Sequence, residues 1–128
     1  MAYINDEVFD QGLDYADVNG TRIDITVGEA ANYTQATGTY NGTTQLSCGN
    51  KTSLNTGATE AGATDGRRVI VPAITDGTVT ASQTASHWAL TDGSAVLIAT
   101  GALSASQAVT SGNTFTLDAI SITIRDAA

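Results

Sequence analysis

Short runs in which apolar residues alternate with polar or small ones constrain this chain most, because a period of two belongs to strands. In Arg22-Ile23-Asp24-Ile25-Thr26-Val27 the branched side chains Ile23, Ile25 and Val27 share one face, which predicts a strand packed on one side only. Arg68-Val69-Ile70-Val71 predicts a second, with Pro72 where a strand ends or lies on an edge. Two longer stretches, Ile74 to Thr80 and Trp88 to Ile98, each place Asp-Gly between apolar residues. Glycine accepts the positive φ that a tight hairpin turn demands, so each reads as strand, turn, strand. The repeated Thr-Asp-Gly turn then implies an antiparallel meander.

The C-terminal strand, Thr114 to Arg125, changes parity partway. Phe115 and Leu117 share one face, whereas Ile120, Ile122 and Ile124 fall on the other. Both sets stay inward only if a β-bulge forms at Asp118-Ala119, or if the chain crosses there from one sheet to another. Between these strands, Ala102 to Ser111 is small and polar, with Val109 as its main anchor and a Ser104–Ala108 interior that a helix would also tolerate. Ser111-Gly112-Asn113 closes it as a turn.

The first half is less regular. Asn5 to Asp17 predicts a helix: Asp6 suits the N-cap, Glu7 and Asp10 suit the positive end of the dipole, and Phe9, Leu13 and Ala16 recur at spacings of four and three. Gly12 weakens it, and Asn19-Gly20 supplies a turn. Gly28 to Gly66 is rich in Thr, Gly, Asn and Ala, with Tyr33, Tyr40 and Leu46 as its large anchors. A structureless stretch of that length is unusual in a compact domain, so short strands are expected near Thr37–Tyr40 and Thr44–Cys48. Thr52 to Asp65 reads as a mobile exposed loop. The expected fold is all-β: an antiparallel β-sandwich or jelly-roll-like barrel with a short N-terminal helix and a long Gly/Thr-rich loop region. It is one domain over residues 1–128, with an arm or short helix at 1–19, a loop-rich insertion at 28–66 and a meander core at 67–126.

Composition narrows the function. Aromatic residues make up 5% of the 128, so the core leans on Ala, Val, Ile and Leu and is thin. Oligomerisation or docking is a natural supplement. Thirteen acids against five bases give a net charge of −8, which opposes phosphate binding and argues against nucleic acid and anionic membranes as partners. No apolar stretch reaches the ~20 residues that span a bilayer. The N-terminus lacks a basic region followed by an apolar run, which predicts no signal peptide and synthesis in a cytoplasm. The Asn-x-Thr triplets at Asn19, Asn32, Asn41 and Asn50 are accordingly read as turn residues rather than glycosylation acceptors.

Single Cys48 and single His87 exclude an internal disulfide and argue against a Cys/His zinc site. Cys48 reads as a small buried residue, although Lys51 stands close enough in sequence to lower its pKa. Asp14, Asp17, Asn19 and Asp24 surround Gly20, but placing Gly20 sixth in a calcium loop puts Tyr15 first and Thr26 twelfth, where carboxylates are required. An EF-hand is excluded; a looser calcium site stays open. No Gly-x-Ser-x-Gly elbow, phosphate loop or singled-out carboxylate pair is present, and no cofactor or catalytic residue is assigned. His87-Trp88 is the most specialised dipeptide. Trp88 serves either as a core residue sharing a face with Leu90, or as a platform for a sugar or protein contact. Arg67-Arg68 is either a solvated pair or a dock for a partner's carboxylates.

With these residues in view, the chain resembles small virion structural proteins of tailed bacteriophages, and among them capsid decoration (cement) proteins. The resemblance rests on the Met-Ala start, Asp14-Tyr15…Asn19-Gly20-Thr21-Arg22, Ser86-His87-Trp88-Ala89-Leu90-Thr91-Asp92-Gly93-Ser94 and Gln107-Ala108-Val109-Thr110-Ser111-Gly112-Asn113-Thr114-Phe115. It implies a non-enzymatic protein on the outer surface of the virion, a homotrimer stabilising contacts between major capsid protein subunits. The reaching elements would be the segment through Asp17 and the Gly28–Gly66 stretch. Interface candidates are Tyr3, Ile4, Phe9, Tyr15, Arg67, Arg68 and His87. Alternatives are a glycan- or receptor-binding head-fibre or tail module, and a neck, tail or baseplate component.

Overall fold

The structure, a computed structural model, describes residues 13–61 and 66–124. They form mostly β structure in curled antiparallel sheets with short helices. The elements in chain order are α1 (Leu13–Asn19), β1 (Arg22–Thr26), α2 (Tyr33–Thr37), β2 (Ser47–Lys51), β3 (Glu60–Ala61), β4 (Arg67–Val71), β5 (Ile74–Val79), β6 (Gln83–Thr91), β7 (Leu97–Val109), β8 (Thr114–Leu117) and β9 (Ile120–Ile124). Six strands make one sheet in the order β7-β6-β1-β2-β5-β8; β3-β4-β9 make a second. Ile23, Ile25, Val79 and Leu90 of the large sheet join Val69, Val71 and Ile122 of the small sheet in one apolar core.

The helical expectation for Asn5 to Asp17 falls largely outside the described residues. Within them, α1 runs on to Asn19 and buries Leu13 and Ala16. Gly20 N then donates to Ala16 O at 2.9 Å, and a Cβ on Gly20 would stand 2.5 Å from that same oxygen. The close approach is open only to glycine, so the helix stops where Asn19-Gly20 was expected to turn the chain.

β1 is not packed on one side only. Ile23 and Ile25 face the main core, but Asp24 and Thr26 are equally buried on the opposite face. The covering layer comes from the Gly/Thr-rich region, where Ala30 and Ala36 pack with Leu46 on Ala89 and Leu97 as a second, smaller apolar cluster. That region holds a short helix that ends at Thr37, just before the strand expected near Thr37–Tyr40. Asn32 caps α2, its side chain accepting from Gln35 N, and Gln35 Oε1 reaches back to Ala31 N. Thr39 keeps only an isolated parallel bridge to Ser47, and the next strand starts at Ser47 rather than Thr44.

Over its described part Thr52 onward is largely exposed and irregular, as expected, but two of its residues anchor it to the fold. Leu54 N donates to Thr21 O at 2.9 Å, Thr56 Oγ1 donates to Gly20 O at 3.1 Å, and both residues are buried.

The two Asp-Gly signals have different outcomes. Asp92-Gly93 turns the β6–β7 hairpin: Gly93 has φ 77°, and Asp92 Oδ1 accepts from the backbone N–H groups of Ser94, Ala95 and Val96. Asp76-Gly77 lies inside β5, so the expected hairpin is absent and 67–126 is not a meander. Gly77 serves packing instead. A Cβ there would sit 2.3 Å from the Phe115 ring on neighbouring β8, and the ladder shifts register between Ile74 and Gly77. The parity change at Asp118-Ala119 resolves as a crossing between sheets, from β8 in the large sheet to β9 in the small one. Ala102 to Val109 continues the long strand β7, and Ser111-Gly112-Asn113 turns the chain, with Gly112 at φ 90°.

Candidate functional site

The main irregularity of the large sheet lies between β6 and β7. Ala85 pairs with Gln107 and His87 with Ala102, so Ser86 alone stands opposite Leu103, Ser104, Ala105 and Ser106. Such a bulge bends its strand and re-aims side chains. On the core-facing side of β6, Trp88 pairs with Gly101, whose missing side chain makes room for the indole. A Cβ on Gly101 would meet Cζ2, Cε2 and Nε1 at 2.7–2.8 Å. Trp88 therefore lies over β7 at the point where that strand begins to bulge.

Because β7 and β8 are the two outer strands of the curled sheet, their bulged and crossing segments face each other across a slot of about 370 Å³. Trp88, Leu103, Leu117 and Ile120 give it an apolar side; Ser104, Gln107, Thr116 and Asp118 give it a polar one. Gln107 Nε2 donates to Thr116 O at 3.1 Å, so one side chain bridges the gap between the edges. Half-buried Trp88 packs on the core and also lines this slot.

Of the expected interface residues that the structure describes, Tyr15 lies on α1, which packs against β4, the strand that carries Arg67 and Arg68, whereas His87 lies on β6 of the other sheet. Tyr3, Ile4 and Phe9 lie outside the described residues. Tyr15 is half-buried against the core. Arg67 is exposed at the start of β4 in the small sheet, while Arg68 Nη2 pairs with Glu60 at 3.2 Å across β3–β4. His87 sits on the large sheet, with its Nδ1 2.8 Å from Ser86 Oγ, which in turn accepts from Gly28 N. Of the His87-Trp88 pair, only Trp88 lines the slot. Leu103, Gln107 and Asp118 were not anticipated there; the available signals were the ambiguous Ala102–Ser111 stretch and the parity break at Asp118-Ala119.

Two further groups bear on chemistry. Cys48 is fully buried, its Sγ contacts Ile25 O at 3.4 Å, and burial pushes the thiol up to about 11. Lys51 does not lower it, because that ammonium pairs with Asp76 at 2.9 Å. Beneath α2, Arg22 Nε and Nη2 grip the Asp24 carboxylate at 2.7 and 2.9 Å, Ser47 Oγ donates to it, and Arg22 Nη2 also reaches Thr37 O. Desolvation raises the Asp24 pKa despite these donors. This network fastens the covering helix to the sheet and occupies Asp24, one of the acids that flank Gly20 in sequence. Among the described residues, no three His, Cys, Asp or Glu side chains gather to hold a metal ion. No helix among them is long and apolar enough to cross a membrane.

Comparison with known proteins finds no match to this chain, whether among family models, curated proteins or solved structures.

Proposed function

We propose that this protein is a non-enzymatic β-sandwich that docks on other protein subunits, as a bacteriophage capsid decoration protein does on the outer surface of a head, and that it acts as a homotrimer stabilising contacts between major capsid protein subunits. The observation that carries the reading is the character of the outer strands of the large sheet. From Gly93 to Leu117 there is no Asp, Glu, Lys or Arg, in a chain whose net charge is −8. Natural sheets commonly protect their edges with charges or proline. Here the exposed positions from Ala102 to Thr116 are small and uncharged, so covering them desolvates no ion. The Asp24–Arg22–Thr37 tie and the buried second face of β1 add rigidity, which reduces the ordering cost of docking.

The test is copy number in purified particles, measured by quantitative mass spectrometry against the major shell subunit. Hundreds of copies support a shell protein. Six or twelve redirect the assignment to a neck, tail or baseplate ring, and absence from particles refutes the reading.

A further inference from the structure

We propose that the slot between β7 and β8 is a binding site for a neutral sugar ring stacked against Trp88. The volume, about 370 Å³, lies in the range of small-molecule sites. Its chemistry selects the ligand class by exclusion. Among the described residues the lining contains no Lys, Arg or His to compensate a phosphate, sulfate or carboxylate, and the net charge of −8 repels them further. A hydrocarbon ligand would strip water from Ser104, Gln107, Thr116 and Asp118 and return no hydrogen bond. An inserted β-strand would have to displace the Gln107 side chain, which bridges the two edges and already occupies the Thr116 carbonyl.

What fits is a molecule with one apolar face and a rim of hydroxyl groups. The C–H face of a sugar ring is weakly electropositive and complements the negative face of an indole. Asp118 and the Gln107 carbonyl can accept from its hydroxyls; Ser104 and Thr116 can donate to or accept from them. The site is built rather than incidental. Gly101 makes the space that lays the indole over β7, the bulge opposite Ser86 brings Leu103 and Ser104 to the rim, and the sheet crossing supplies Asp118. Arg22, Lys51 and Arg68 pair elsewhere, and among the described residues Asp118 is the charged group that lines the slot.

Trp88 is the only tryptophan, so its emission reports the slot directly. The full chain is titrated with glucose, galactose, mannose and N-acetylglucosamine, with inorganic phosphate and sialic acid as anionic controls, and screened on an immobilised panel of neutral glycans. The expected result is a saturable emission change with a millimolar Kd for at least one neutral sugar. Affinity should fall several-fold in Asp118→Ala and Gln107→Ala and stay unchanged in Asp76→Ala, which lies outside the slot. No saturable change with any neutral sugar or glycan overturns the inference. So does equal binding of phosphate, or an affinity indifferent to Asp118→Ala and Gln107→Ala. The inference stands independently of the particle reading: a chain abundant on particles but blind to sugars would refute this site alone, and the reverse outcome would refute the particle assignment alone.

Discussion

Removing Arg22 should make this protein's stability depend on pH in a direction opposite to that of most surface acids. In Arg22→Ala the Asp24 carboxylate stays fully buried and keeps only the Ser47 hydroxyl as a partner. Two charge-assisted hydrogen bonds, at 2.7 and 2.9 Å, are lost. At about 1.5–3 kcal/mol each they total about 3–6 kcal/mol, in line with the roughly 3–5 kcal/mol typical of breaking a buried pair from one side. Burial already raises the Asp24 pKa, and loss of the guanidinium raises it further. A carboxyl whose folded pKa lies above its unfolded value, about 3.9, contributes stability that is fully present below that value and lost as pH rises through the folded pKa. The deficit of Arg22→Ala relative to the parent chain should therefore be largest at neutral pH and shrink towards pH 4. Asp24→Ala removes the titrating group, so its deficit, about 3 kcal/mol because Arg22 is partly solvated, should not shrink. Urea unfolding followed by Trp88 emission at pH 7.5 and 4.5 measures both. Equal Arg22→Ala deficits at the two pH values, or a neutral-pH deficit below about 1 kcal/mol, would refute the account of this network.

Other substitutions test separate parts of the fold. Gly77→Ala should cost about 1–3 kcal/mol by forcing the buried Phe115 ring aside, and a paired Phe115→Leu should recover part of that loss in a double-mutant cycle followed by urea denaturation. Gly101→Ala should displace the indole, shifting Trp88 emission even where the chain stays folded by circular dichroism. Asp92→Ala removes the acceptor of three backbone N–H groups at the β6–β7 turn and should lower the thermal midpoint, with a cost of about 1 kcal/mol. The Asp92 pKa is lowered by those donors against an opposing desolvation, so its contribution is present above the unfolded carboxyl value and is lost as pH falls through the folded one; the gap between parent and Asp92→Ala should narrow in acid.

Local pattern alone determined the strands at Arg68–Val71, at Trp88–Leu90 and at Leu97–Ile98, the Asp92-Gly93 turn and the place where the last strand must change its inward face. These follow from side-chain alternation and from a positive φ that glycine adopts without strain. The same signals could not separate Asp76-Gly77 from Asp92-Gly93, because a glycine that bends the backbone and a glycine that makes room for a ring read alike until Phe115 is placed beside it. Nor could they show that β1 is buried on both faces, since the cover arrives from Ala30, Ala36 and Leu46, whose small side chains carry little periodic signal. The slot is wholly a product of tertiary structure. Trp88, Leu103 and Asp118 lie on segments with no common sequence pattern, and they meet because the sheet curls until its two outer strands face one another. Alternation is a property of neighbours along the chain; the closing of a sheet is set by the sum of its twists and by what fills its interior, and that sum exists only once every strand is in register.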